Sequence, residues 1–162
     1  MTTSAHDPSL DLAFQRLVDV PPEPLWEAWT QPKRLMPWFC PAPWMVTACE
    51  IDLRPGGIFR TVMRSAEGQE FVNLGCYLEL VPNRRLAWTN VMSSGFRPVP
   101  AAALENFFRF TAIVGFEPQA GGTLYSARAL HGTREDRDKH AAMGFEEGWG
   151  KALDQLLRFI KG

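Results

Sequence analysis

Apolar and polar residues alternate along most of the chain between about residues 11 and 131, at the spacing typical of β-strands. "LDLAFQRLVDV" predicts a first strand from Asp11 to Val20. After an interruption the alternation returns in about six further segments, separated by turn sequences such as "RPGG", "AEGQ" and "PNR". This order predicts an antiparallel meander.

Two segments of helical pattern flank these strands. "PPEPLWEAWT" and "QPKRLMPWF" predict two short helices directly after the first strand, because prolines suit the first turn of a helix. After Thr133, a plausible N-cap, the apolar positions predict one long helix from Arg134 to Lys161. The chain is therefore predicted to be α+β: a curved antiparallel sheet with the long helix over its concave face. The apolar stripe of that helix is Ala141, Phe145, Trp149, Ala152, Leu153, Leu156, Leu157 and Ile160.

The last two strands form a hairpin whose register can be predicted. A turn centred on Gln119 and Ala120 would pair Phe116 with Thr123 and leave one face almost entirely apolar. That face would hold Phe108 paired with His131 at the end of the hairpin.

Gly144 and Gly148 interrupt the predicted helix, where each glycine costs about 1 kcal/mol relative to alanine. Two explanations are open. The glycines allow another backbone to approach closely, or they leave space for a ligand cavity of at least about 300 Å³.

Length, charge and cysteines narrow the class of protein. A chain of 162 residues fits one domain, residues 1–162, of which we expect 1–10 to be flexible. The net charge is −1, and no basic face indicates that the protein binds nucleic acid. No apolar run is long enough for a membrane helix. Three cysteines without a CxxC pair argue against a disulfide framework or zinc site. We expect a cytoplasmic protein without metal or cofactor.

The polar candidates for chemistry lie near the start of the long helix. His131 or His140 beside Asp136, Glu146 or Glu147 could act as a general acid–base couple, and two histidines with a carboxylate could hold a metal. The alternative is that these side chains only cap or solvate a helix end.

Five segments in order resemble the START-related superfamily with the helix-grip fold: "PPEPLWEAWTQPKRLMPWF", "DLRPGGIFRTVM", "GCYLELVPNRRLAWT", "FEPQAGGTLYSA" and "HAAMGFEEGWGKALDQLL". Within it, the chain is similar to bacterial relatives of the C-terminal domain of the heat-shock-protein-90 ATPase activator. The resemblance covers Leu12 to Ile160. It implies an apolar pocket between sheet and long helix, and it places the family's "GF.EGW" motif on Gly144 to Trp149. "SSGFRPVPAAALENF" departs from the pattern, and we expect it to form the pocket rim.

The resemblance and the residues together favour a binding protein for a small, mostly apolar or amphipathic ligand. An alternative is a cyclase- or hydrolase-like enzyme acting through His131 or His140, and a second alternative is a chaperone co-factor. Binding is favoured over catalysis, and a homodimer is left open. The predicted ligand-binding residues are Trp38, Phe59, Trp88, Phe108, Phe110, Tyr125, His131, His140, Met143, Gly144, Phe145, Gly148 and Trp149.

Overall fold

The computed structural model describes residues 6–162, so part of the expected flexible stretch 1–10 lies outside the described residues. The rest of that stretch contains a turn in which the backbone N–H groups of Leu10 and Asp11 donate to the carbonyl of Asp7. A short 3-10 helix spans Ala101–Leu104. The other elements are β1 (Asp11–Val18), α1 (Pro22–Thr30), α2 (Pro32–Leu35), β2 (Met45–Ile51), β3 (Ile58–Arg64), β4 (Glu70–Val81), β5 (Arg85–Thr89), β6 (Met92–Ser93), β7 (Arg97–Pro98), β8 (Thr111–Gln119), β9 (Gly122–Leu130), α3 (Arg134–Ala142) and α4 (Phe145–Lys161).

Seven strands form one antiparallel sheet in the order β1-β9-β8-β5-β4-β3-β2. The first strand therefore pairs with the last, which brings the start of the chain beside the segment that leads into α3. β6 and β7 form a separate two-stranded ribbon within the irregular segment that the sequence analysis singled out. β1 ends two residues earlier than predicted.

The architecture confirms the predicted α+β helix-grip fold, with two short helices after β1 and a C-terminal helix packed on the sheet. The amphipathic α4 buries Phe145, Gly150, Ala152, Leu153 and Leu156. Burial of this apolar stripe stabilises the helix more than its own propensity does. No helix in the described part of the chain is long and apolar enough to cross a membrane.

The prediction of a single helix over 134–161 was wrong. α3 ends at Ala142 and α4 begins at Phe145, because Gly144 has a φ of +78°, in the left-handed region that a glycine adopts without strain. The predicted start is confirmed: the Thr133 hydroxyl accepts a hydrogen bond from the backbone N–H of Asp136 at 3.1 Å. The interruption turns the chain without detaching α4 from the sheet.

The predicted hairpin register was also wrong, by two residues. Phe116 pairs with Tyr125, because the turn lies at Ala120 and Gly121, where Gly121 takes a φ of +82°. A shift of two residues keeps every side chain on its own face, so the apolar face was assigned correctly. Phe108 and Phe110 precede β8 and do not pair with β9 as predicted.

Candidate functional site

Seven rings fill the space between the sheet and the first turns of α4, and we call them the interior aromatic cluster. Trp29 lies at its centre: its ring centroid is 5.1 Å from that of Trp38, 5.6 Å from that of Trp88 and 6.0 Å from that of Trp149. The strands add a stacked pair, Phe59 and Tyr77, at 5.2 Å. The members are Trp29, Trp38, Phe39, Phe59, Tyr77, Trp88 and Trp149.

Two polar atoms inside this cluster have no partner among the described residues. The Tyr77 hydroxyl and the Trp38 indole Nε1 are both buried, and neither forms a hydrogen bond with any described residue. Nearby, Trp29 Nε1 donates to the hydroxyl of Tyr125 at 3.0 Å, so the fold does pair such groups elsewhere. Leaving a buried polar group unpaired costs roughly 1–3 kcal/mol, which makes the two exceptions informative.

The titratable groups around the unpaired atoms are uncharged. Burial raises the pKa of the Tyr77 hydroxyl far above its usual value, with a further upward contribution from Cys49. Burial also raises the pKa of the Cys49 and Cys40 thiols to about 11. The interior is therefore neutral at physiological pH.

A pair of histidines forms a second polar centre, under α3. His131 Nδ1 lies 2.6 Å from the carbonyl oxygen of Leu10, and His131 Nε2 lies 3.0 Å from His140 Nδ1. A carbonyl oxygen only accepts, so His131 Nδ1 carries a hydrogen. In the neutral pair His140 Nδ1 then donates to His131 Nε2, which leaves His140 Nε2 as an acceptor.

Three phenylalanines surround His140. Its ring stacks on Phe108 with centroids 4.1 Å apart, and Phe110 and Phe145 approach edge-on. Burial among these rings, together with His131, lowers the pKa of His140 from 6.5 to about 3. His140 is therefore neutral and a weak base near pH 7.

The two centres are connected by ring contacts. Phe145 contacts His140 at 5.2 Å between centroids and Trp149 at 5.5 Å. Trp149 in turn stacks on Trp29 in the interior aromatic cluster. A continuous apolar path therefore runs beneath the first turns of α4 from one polar centre to the other.

One flank of α4 is hydrogen-bonded to the segment that follows α2. The Gln155 side-chain amide donates to the carbonyls of Trp38 at 3.0 Å and Cys40 at 2.8 Å, and it accepts from the backbone N–H of Ala42 at 2.9 Å. Gly148 precedes Gln155 by about two helical turns and so lies on the same flank. Within the described part of the chain, no atom other than those of its own chain neighbours and helix backbone lies within 4 Å of where a Cβ at Gly148 would stand.

The two explanations for the glycines can now be separated. Neither Gly144 nor Gly148 makes a close approach to a neighbouring backbone or side chain. The helical glycine that does so is Gly150, where a Cβ would stand 3.1 Å from Arg16 Nη2 and 3.6 Å from the Phe14 ring. Gly148 leaves space on its flank, and Gly144 supplies the left-handed turn.

The hollows on the surface of the described residues include two of similar size. One, of about 300 Å³, is lined by Pro8, Ser9 and the start of α3. The other, of about 280 Å³, lies between β1 and the α3–α4 corner and includes Gly144 and Phe145 but not Gly148.

Most of the predicted ligand-binding residues lie in the two connected centres. Met143 does not, because the helix ends there and its side chain is 68% exposed. Asp136 contributes only its backbone N–H to the α3 cap, and no contact of its carboxylate with His131 or His140 is found among the described residues. Glu146 and Glu147 are exposed, so the candidate histidine–carboxylate couple is not seen in this part of the chain. The buried residues are Trp38, Phe59, Trp88, Phe108, Tyr125, His131, His140 and Phe145, and the half-buried ones are Phe110, Gly144, Gly148 and Trp149.

Sequence reasoning missed several residues that shape the site. Trp29 and Tyr77 were not among the predicted ligand-binding residues, although the alternation of β4 with Gly75 could have placed Tyr77 inward. Asn90 gave no signal: its side chain bonds the backbone of Phe108 at 2.8 Å and Phe110 at 2.9 Å, and so holds both rings against His140.

An antiparallel sheet gripping a C-terminal helix over an aromatic interior defines the START-related helix-grip class. A family model described as "Activator of Hsp90 ATPase homolog 1-like protein" matches residues 19–161, and the chain belongs to this family. The resemblance noted in the sequence is thereby confirmed.

Solved structures agree with this assignment. The chain is similar to a crystal structure of a protein from Nitrosomonas europaea, with 40% identity, a TM-score of 0.90, and coverage of 96% of this chain and 97% of that one. It is also similar to a Rhodobacter sphaeroides protein at 24% identity and TM-score 0.76, covering 94% and 93% of the two chains. The AHSA1-like protein of Aeromonas hydrophila shares the fold at 19% identity and TM-score 0.68, covering 94% and 92%. None of the curated protein sequences matched the chain.

Proposed function

We propose that the protein binds a small, mostly apolar molecule between the sheet and the first turns of α4. The observation that carries this proposal is the pair of unpaired polar atoms, Tyr77 Oη and Trp38 Nε1, buried among aromatic rings. Each unpaired polar atom buried among apolar rings calls for an explanation, and a partner from outside the chain supplies one for both. Apolar walls with a few polar groups are typical of small-molecule sites.

A ligand would enter along the flank of α4 that carries Gly148. None of the other described residues fills the space at Gly148, and Phe39 and Trp149 are the two half-buried members of the interior aromatic cluster. Because rings occupy the interior, entry requires Phe39 and Trp149 to move aside. Rotation of half-buried side chains costs less than opening the fully buried core.

Binding is favoured over catalysis by the state of the histidines. A general base works best with a pKa near the operating pH, whereas burial lowers the pKa of His140 to about 3. A neutral His140 suits a hydrogen bond to a ligand better than proton abstraction. The chaperone co-factor alternative stays a prediction.

The proposal is tested by titrating the protein with the neutral fluorescent probe N-phenyl-1-naphthylamine, and by native mass spectrometry for a co-purified molecule. Gly148→Leu places a side chain in the open flank without backbone strain, since Gly148 has a helical backbone. We expect it to abolish probe binding while the protein still unfolds cooperatively. Lys151→Leu, which adds the same side chain at an exposed position of α4, is the matched control and should bind like the original protein.

Two results would contradict the proposal. In one, the probe binds Gly148→Leu and the original protein equally, so that binding occurs elsewhere. In the other, the protein carries no co-purified molecule and does not bind the probe at all.

A further inference from the structure

We infer that the ligand carries an uncharged hydrogen-bond acceptor, of the carbonyl class, which is held by Tyr77 and Trp38. This inference rests on the proposed function and adds the chemistry of the ligand's polar end. A ketone, an aldehyde, an ester and an amide all present such an oxygen.

Hydrogen-bonding capacity selects an acceptor. An indole N–H can only donate, so Trp38 Nε1 requires an acceptor as its partner. A phenol both donates and accepts, and its unpaired proton can also be satisfied by an acceptor. A carbonyl oxygen has two lone pairs and no proton of its own, so it satisfies a donor without bringing a further donor into the apolar interior, as a hydroxyl or an amine would.

The rings that join the two donors are continuous. Trp38 contacts Phe39 at 5.6 Å between centroids, Phe39 contacts Phe59 at 5.8 Å, and Phe59 stacks on Tyr77 at 5.2 Å. Movement of Phe39, the half-buried ring of this series, is therefore what would expose both donors to one incoming group.

The charges around the two donors disfavour a carboxylate end group. Cys49 is the titratable residue that acts electrostatically on Tyr77, and its pKa of about 11 leaves it neutral. The cation nearest to Trp38 along the chain is Arg34, whose side chain is 44% exposed, lies over the Phe159 ring and points toward Glu27. Burying an anion without a counter-charge is strongly unfavourable.

Three eight-carbon probes separate the possibilities: 2-octanone, octane and octanoate, each measured at pH 7.5 by displacement of N-phenyl-1-naphthylamine. We expect 2-octanone to bind best and octanoate worst. Tyr77→Phe should lower the affinity for 2-octanone by about 2- to 13-fold, the range of one neutral hydrogen bond, and leave octane unchanged. Thr123→Val is the control: it removes a buried hydroxyl that donates to the Val20 carbonyl, outside the interior aromatic cluster, and should not discriminate between 2-octanone and octane.

Infrared spectroscopy provides a second readout that a purely structural role would not move. The carbonyl stretch of bound 2-octanone should shift to lower frequency in the original protein. The shift should shrink in Tyr77→Phe and in Trp38→Phe, with folding checked by thermal unfolding.

The possible failures are distinguishable. If octane binds and 2-octanone binds no better, with an unshifted carbonyl stretch, the inference is overturned and the proposed function stands. Tighter binding of octanoate than of 2-octanone also overturns it, and would indicate a charged end group. If none of the three probes binds, the proposed function itself fails.

Discussion

The chain has two tyrosines, Tyr77 and Tyr125, and both are almost completely buried. The Tyr125 hydroxyl accepts a hydrogen bond from Trp29 Nε1, whereas the Tyr77 hydroxyl has no partner among the described residues. Tyr125 lies on β9 in the fully packed part of the core, where Val114, Leu153 and Leu156 are inaccessible to solvent. Tyr77 lies on β4 in the interior aromatic cluster, whose outer members are half-buried.

This difference divides the interior into two halves. The half around Tyr125 satisfies its own polar groups and is complete within the chain. The half around Tyr77 leaves two donors unpaired, and its wall includes Phe39, Trp149 and the open flank at Gly148. We expect stability to be concentrated in the first half, and the proposed binding to use the second.

The largest expected effect on the free energy of unfolding comes from the half of the interior around Tyr125. Leu153→Ala removes a side chain that is 0% exposed, so it should lower the free energy of unfolding by about 2–5 kcal/mol. Leu157→Ala, on the same helix but half-buried, is the control and should cost less. Chemical denaturation measures both, and equal losses would contradict the division into halves.

Substitutions of the two tyrosines test the division of the interior directly. Tyr125→Phe strands the buried N–H of Trp29 and should lower the free energy of unfolding by about 1–3 kcal/mol. Tyr77→Phe removes a hydroxyl that has no partner, so stability should be unchanged or slightly higher. Urea denaturation of ligand-free protein provides the comparison, and an equal loss in the two variants would show that Tyr77 is also paired within the chain.

The histidine pair predicts a pH dependence. His140 has a folded pKa of about 3, below its unfolded value of 6.5, so folding favours the neutral ring. As pH falls below 6.5, the unfolded chain takes up a proton that the folded chain does not. The contribution of His140 to the free energy of unfolding is therefore fully present above pH 6.5 and is lost toward pH 3, at up to about 1.4 kcal/mol per pH unit.

His140→Asn isolates this contribution, because asparagine can still donate a hydrogen bond to His131 Nε2 but does not titrate. The free energy of unfolding of the variant should fall less steeply between pH 6.5 and about 4 than that of the original protein. Parallel curves would mean that His140 titrates normally in the folded state.

The smallest expected effect compares the two glycines. Gly148→Ala should raise the free energy of unfolding by up to about 1 kcal/mol, because Gly148 has a helical backbone and space for a Cβ. Gly144→Ala should lower it by about 1 kcal/mol, because its φ of +78° is unfavourable for alanine. Thermal unfolding distinguishes a gain from a loss, and effects of the same sign would refute the separate roles.

Much of the site could be predicted because burial follows local patterns. The alternation in β8 and β9 correctly placed Phe116 and Tyr125 on the inner face even though the register was wrong by two residues. His131 and His140 were both predicted among the ligand-binding residues, and the structure places their nearest ring nitrogens 3.0 Å apart. The pairing of Tyr125 with Trp29 and the absence of a partner for Tyr77 could not be predicted, since both residues are simply buried rings in the sequence.

The sequence by itself determined the order of the elements, the α+β class, the helix-grip resemblance and the apolar face of α4. Those features depend on periodicity and turn chemistry, which act between residues close in the chain. Only the tertiary structure decided that Gly144 divides the final helix, that Gly150 rather than Gly148 is the point of close approach, and which buried donors find partners. These outcomes depend on where β1, α1 and the segment after α2 meet α4, and contacts between residues more than a hundred positions apart leave no local pattern.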